Sequence, residues 1–313
     1  MSQNTNQAPT STSVGTAAGS DIDGPGARRS GARALRTIWG NRKARAGLII
    51  LGVFLVVAAL APLLAPYAPT DNSFERNADA SAAHWLGTTA AGEDVLSQLI
   101  YGSRISVLVG FGAGGLATVI AVLVGLSWGY VSGWIGEVIN FIVNLFLVIP
   151  GLPLMIVIAT YLSDGGISVI IAVIAITGWA WGARVLRSQT TSLRSRDFVT
   201  AARFSGERPG RIVFREILPN MTSIIAGGFF GSATAAILAE AGLEFLGLGD
   251  STLVTWGTML YWAQNSNALL VGQWALLFAP GLCISLFATS LTLINFGVDG
   301  ISNPRLREGS TGR

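Results

Sequence analysis

The sequence predicts an all-α membrane protein with six transmembrane helices, and three observations carry that prediction. Of 313 residues, 51% are hydrophobic and only 12% are charged, against about 25% charged in soluble domains. Six uncharged runs alternate with polar segments, each long enough to cross ~30 Å of hydrocarbon at about 1.5 Å per residue. The basic residues are also grouped: seven precede the first run, eight lie between the fourth and fifth, and three follow the sixth. With six spans those three regions share one side of the membrane, which the positive-inside rule makes cytoplasmic. Both termini are therefore expected in the cytoplasm.

Residues 1–30 are rich in Ser, Thr, Gly, Ala, Asn and Gln. Such a segment cannot bury a core and is expected to be a disordered cytoplasmic tail; it holds no apolar stretch of the kind a cleaved signal needs. Residues 31–103 bring a basic segment that includes Arg42, Lys43 and Arg45, the first run and an extracytoplasmic segment. That run, Ala46–Thr70, is ended by Pro62, Pro66 and Pro69.

Residues 104–307 are expected to form the core, with five further helices, and 308–313 a tail. The second run, Ile105–Gly136, is dense in glycine, which favours close helix–helix approach in lipid. The third, Val138–Ser163, carries Pro150 and Pro153 near its middle. Prolines there free backbone carbonyls and kink the helix, either as a structural feature or as part of a translocation path. The fourth, Gly165–Ala183, ends in Trp179 and Trp181, placed as an interfacial belt would be.

A polar, arginine-bearing loop over residues 184–219 follows, most distinctive from Asp197 to Asn220. Ser195 or Asp197 can cap a short helix, and Phe198, Ala201, Ala202 and Ser205 share one of its faces. Gly206 offers a left-handed stop, Pro209 forbids continuation, and a second amphipathic piece, Arg211–Leu218, leads to Pro219. The fifth run is Ile217–Ala239. Just past it stand Glu240 and Glu244, one helical turn apart, which read either as translocation-path residues or as a rim pair facing water or a neighbouring subunit. Residues 251–298 carry no charge. Their first part, with Trp256 and Trp262, reads as an external loop, and the sixth span as Val271–Ile294 with Pro280 inside it.

Several classes of chemistry are excluded or unsupported. Cys283 is the single cysteine, so neither a disulfide framework nor a cysteine metal site is possible. His84 is the single histidine and has no ligand-spaced partner. The phosphate-cradling pattern G-x4-G-K-[ST] is absent, so any ATP used must be hydrolysed by another subunit.

Thr200-Ala201-Ala202, then Gly206, then Leu218-Pro219 resemble the cytoplasmic loop of ABC-importer permeases, E-A-A-x3-G-x9-I-x-L-P. Thr200 stands where Glu is usual, and Glu216 takes the Ile position. The string from His84 to Arg104 resembles H-x-L-G-T-D-x2-G-R-D-[VL]-x-S-R-L-[IL]-x-G-[AS]-R of the dipeptide/oligopeptide/nickel subfamily. It departs at Thr89 for Asp, Glu93 for Arg and Gln98 for Arg, while His84, Leu86, Gly87, Thr88, Gly92, Asp94, Ser97, Gly102 and Arg104 keep their spacing. Glu240 to Gly249 resembles the subfamily's E-x-x-L-S-F-L-G-L-G, and Asn303–Arg307 its D-P-R-L-R ending.

The resemblance implies a type I ABC-importer permease (MetI-like) fold in a bacterial inner membrane. It implies as partners a second permease subunit, two ATPase subunits that carry ATP and Mg, an extracytoplasmic substrate-binding protein and membrane lipid, with no nucleic acid. This chain would hold no cofactor or metal and catalyse nothing itself. Thr200, Ala201, Ala202, Arg203, Ser205, Gly206, Glu207, Leu218 and Pro219 would dock the ATPase. Small peptides are the expected cargo, with oligosaccharides or nickel as alternatives. Two further readings differ in class: a loop that merely lies on anionic lipid, and a self-sufficient carrier or channel, which would call for charges at mid-membrane.

Overall fold

Thirty-six consecutive residues form one helix around which most of the others pack. In the computed structural model this helix, α2, is Val95–Tyr130; α1, which precedes it, is Arg42–Ala59. Then come α3 (Trp134–Val148), α4 (Gly151–Tyr161), α5 (Gly166–Gly178), α6 (Ala180–Arg194), α7 (Asp197–Phe204), α8 (Thr222–Phe245), α9 (Trp256–Asn265) and α10 (Ala275–Ser302). The structure describes Trp39, residues 41–162 and residues 166–302. The expected tail over 1–30, the start of the basic segment and the Asn303–Arg307 ending lie outside those residues.

Asp94 starts α2 by accepting from the Ser97 backbone N–H at 2.8 Å. The helix lies mainly against α8 and α6, and also against α5 and α1. Small residues make this possible. A Cβ at Gly114 would stand 2.6 Å from the Ala233 backbone of α8, and one at Gly129 would stand 2.5 Å from Thr190 Cβ of α6. Three apolar clusters result. One gathers α1, α8, α9 and α10 around Trp256 and Phe287; one joins Val109 and Ala113 of α2 to α5 and α8. The third surrounds Trp128 near the C-terminal end of α2.

Among the described residues three helical stretches are long and apolar enough to cross a membrane: Val95–Tyr130, Pro209–Phe245 and Ala275–Val298. Counting the bent pairs α3–α4 and α5–α6 as one span each brings the number to five. The first expected span is helical as α1, but Arg42, Lys43 and Arg45 occupy its first turn.

Several expectations change. The third run is broken rather than kinked: α3 and α4 meet at 92°. Ile149, the residue before Pro150, is extended at φ −68°, ψ 127°, the region to which a following proline confines it. Trp179 sits at the 44° bend between α5 and α6, buried with Phe146 at 5.3 Å, so it is core rather than interfacial belt; Trp181 is exposed. The supposed loop after Glu244 contains α9, and Trp256 is wholly buried. The boundary at residue 104 falls inside α2. The second amphipathic piece and the fifth run are one continuous helical stretch, since a π-helical segment (Ile212–Ile217) and a 3₁₀ turn (Leu218–Met221) carry the chain into α8.

Candidate functional site

The loop with the ATPase-docking pattern forms α7, a helix of eight residues. Arg196 occupies the N-cap position without a side-chain hydrogen bond, and Ser195 Oγ donates instead to the Ser192 carbonyl at 3.0 Å. Neither Ser195 nor Asp197 is the cap. Asp197 contributes only its charge to the first turn, where it suits the helix dipole.

The stop is as expected. Gly206 has φ +75°. Its N–H donates to the Arg203 carbonyl at 3.0 Å and the Glu207 N–H donates to Ala202 at 3.1 Å, the paired bonds of a Schellman motif. Pro209 does not continue α7 and begins the next helical turn, Pro209–Arg211.

The faces of α7 differ from the expected arrangement. Val199 is fully buried and Ala202 is half-buried, both in the cluster around Trp128. Ala202 therefore packs against its own chain, not outward. Thr200, Ala201, Arg203, Ser205 and Gly206 are exposed, and Phe204 is 88% exposed. Thr200, Ala201 and Phe204 share the outer face at the three- and four-residue spacing of a helix. Phe204 is a functional candidate that sequence reasoning missed; its signal was an aromatic residue in a polar loop, one turn after the small pair.

Arginines tie this loop to the end of α2. The Arg203 guanidinium lies 5.3 Å from the Tyr130 ring centroid, Arg194 lies 5.9 Å from the same ring, and Arg187 lies 3.9 Å from the Trp128 ring. Arg194 also donates to Ser132 Oγ at 2.8 Å. Glu207 pairs with Arg211 at 3.5 Å. Leu218 packs on the same cluster as Ala202, while Pro219 is exposed. The residues expected to dock a partner thus divide into an outward set and a set that fixes the helix to the bundle.

Glu240 and Glu244 are not a water-facing rim: they are 0% and 3% exposed within this chain. Ser106 of α2 donates to Glu240 Oε1 at 3.0 Å and accepts from the Trp256 backbone N–H at 3.2 Å. Thr255 donates to Glu244 Oε2, and it caps α9 reciprocally with Thr258. The pair therefore anchors α9 to α2 and α8. Pro150 and Pro153 are exposed at the α3–α4 bend and take no part in this network. Among the described residues no group of three His, Cys, Asp or Glu side chains is placed to hold a metal.

At the other end of α2 the segment before it folds back on itself. His84 Nδ1 lies 2.9 Å from Asp94 Oδ1, and its ring clusters with those of Tyr67 and Phe74, which also touch each other. Gln273 donates to the Asn77 carbonyl at 2.8 Å, fastening this segment to the start of α10.

Comparison with known proteins agrees with this architecture. Residues 31–83 match the N-terminal TM domain of oligopeptide transport permease C. The chain is 34% identical over 279 residues to the dipeptide transport system permease protein DppC of Bacillus subtilis, covering 88% of this chain and 85% of that one. It is 36% identical over 271 residues to the DppC of Alkalihalophilus pseudofirmus, covering 85% and 87%. With the oligopeptide transport system permease protein OppC of Mycobacterium tuberculosis it shares 34% over 265 residues, covering 83% and 89%. Residues 79–308 match the family described as the inner membrane component of binding-protein-dependent transport systems, and on that match and those identities the chain belongs to this family of membrane permeases.

Proposed function

We propose that this chain imports small peptides as one of two permease subunits of an ATP-driven transporter in a bacterial inner membrane. The observation that carries the reading is α7: a short helix with Thr200, Ala201 and Phe204 outward, and Val199 and Ala202 inward on the transmembrane bundle. Such a helix presents a small knob to a partner while its other face is continuous with the core. ATP and Mg bind on two separate ATPase subunits, and α7 inserts into a groove on one of them. Closure of the ATPases then shifts α7, and the contact of Arg203 with Tyr130 passes that shift to α2. The coupling requires different contacts in the two states, since a partner that binds both equally moves nothing.

Peptides are favoured over oligosaccharides or nickel because the relatives above are named for dipeptides and oligopeptides. Membership of a binding-protein-dependent family likewise favours a subunit of an importer over a self-sufficient carrier or channel. The orientation has α7 in the cytoplasm and the segment before α2 outside, in line with the charge distribution.

The test is reconstitution. The chain, co-expressed with a second permease and the ATPase subunits, is expected to purify as one complex. In proteoliposomes it should take up a labelled dipeptide only with ATP inside and a binding protein outside. Uptake without any ATPase subunit would overturn the proposal.

A further inference from the structure

The three positions at which the string from His84 to Arg104 departs from its subfamily pattern, Thr89 and Glu93 before α2 and Gln98 in its first turn, lie together. Thr89 Oγ donates to Glu93 Oε2 at 3.2 Å, and Gln98 Nε2 donates to the same oxygen at 2.8 Å. All three line one cavity of about 240 Å³, whose opposite side is formed by Ser251, Met259, Trp262 and neighbouring residues around α9. The pattern holds Asp, Arg and Arg at these positions, a net positive set; here they are Thr, Glu and Gln, a net negative one. Glu93 is half-buried. Its hydrogen bonds converge on Oε2, and among the described residues nothing donates to Oε1 and no cation pairs with the side chain. Thr89 and Gln98 thus orient a carboxylate whose second oxygen is available to a ligand. Trp262, half exposed, adds an aromatic face to the same cavity, and carboxylate plus indole is a combination that selects an organic cation.

We propose that this cavity is a recognition site for a single ammonium or guanidinium group, supplied by a lysine or arginine on the extracytoplasmic binding protein as it docks. The occupant follows from place and size. The cavity is at the N-terminal end of α2, whereas α7 packs near the C-terminal end about 50 Å away, the length of 36 helical residues. It is formed by the segments that connect spans on that side, and its volume admits a side chain rather than a folded surface. A rim charge of this kind sets on-rate and partner choice. The inference rests on the importer reading above.

The experiment uses the assembled complex in nanodiscs with its binding protein, reading ATPase stimulation against binding-protein concentration at several salt concentrations. Glu93→Gln retains the shape and the acceptor for Gln98 but removes the charge. It should raise the half-stimulating concentration about tenfold and flatten its salt dependence, with basal ATPase and maximal stimulation unchanged. Glu93→Arg should weaken docking further, and reversal of one docking lysine or arginine on the binding protein to glutamate should restore it. An unchanged half-stimulating concentration and salt slope in Glu93→Gln would overturn the proposal. So would a change confined to the KM for peptides with a free amino terminus and absent for their N-acetylated forms, which would assign the cavity to the cargo's ammonium. Failure of the wild-type complex to respond to any binding protein would instead count against the importer reading itself.

Discussion

Ser106 and Glu240 are 134 residues apart in sequence, and the Ser106 hydroxyl donates to Glu240 Oε1 at 3.0 Å in the interior of the bundle. The same oxygen of Ser106 receives the Trp256 N–H. One hydroxyl therefore joins three helices: it gives the buried Glu240 carboxyl a donor at Oε1 and gives the first N–H of α9 an acceptor.

Removing that hydroxyl should be felt across the fold. Ser106→Ala leaves Glu240 without its donor and the start of α9 without its acceptor, at about 1–3 kcal/mol for each group left unsatisfied. We expect a lower melting temperature of the detergent-solubilised complex by fluorescence-detected size exclusion. Glu240→Gln, which retains an acceptor for Ser106, should be milder than Glu240→Ala. Equal melting temperatures for wild type and Ser106→Ala would show that the bond contributes nothing.

The outward face of α7 separates docking from folding. Phe204 is 88% exposed, so Phe204→Ala should leave yield and melting temperature unchanged. It should nevertheless lose most ATPase retention on purification, as an exposed aromatic anchor does. Wild-type retention would remove Phe204 from the interface.

Gly206→Val and Ala202→Glu test different parts of the same loop. At φ +75° a residue with a Cβ is strained by roughly 1 kcal/mol or more, so Gly206→Val should unwind the Schellman turn. Ala202→Glu forces a charge into the cluster around Trp128. Both should abolish uptake with the chain still inserted, but only Ala202→Glu should expose the loop to limited proteolysis at Arg194 and Arg196. Identical cleavage patterns would mean that Ala202 is not held by the core.

The helix spacing around α2 gives a sharper packing test. Gly114→Leu places a side chain where the Ala233 backbone already lies at 2.6 Å, and should prevent recovery of folded protein. Gly52→Leu, at a position with nothing within 4 Å, should be recovered normally. Comparable yields would indicate that α2 and α8 can separate at little cost.

Orientation is measurable directly. Single cysteines at Ser81 and Ser192, both exposed, in a Cys283→Ser background should react with an impermeant thiol reagent from opposite sides of the membrane. Reaction from one side only would reverse the assignment of the segment before α2 or of α7.

What was legible in the sequence follows from the range of the interactions involved. The stop at Gly206 was readable because a Schellman turn is built within six residues. The break at Pro150 was signalled by proline, but not its 92° angle, which depends on what α3 and α4 pack against. Trp179 and Trp256 were misplaced because a tryptophan beside an apolar run looks the same at an interface and in a core. The burial of Glu240 and Glu244 was hidden for a related reason: their hydrogen-bond donors, Ser106 and Thr255, lie on other elements. Local chemistry also could not tell Ala201 from Ala202, since the distinction is made by the cluster beneath α7.

The length of α2 has a mechanical consequence. A stiff rod of about 54 Å that pivots near its middle by 5° moves its two tips by about 2 Å in opposite directions. Gln98 stands close to one tip and Tyr130 forms the other. A ligand that seats beside Gln98 and a subunit that pulls on Arg203 would then act on the same lever, each sensing the other's load without any signal passing from residue to residue.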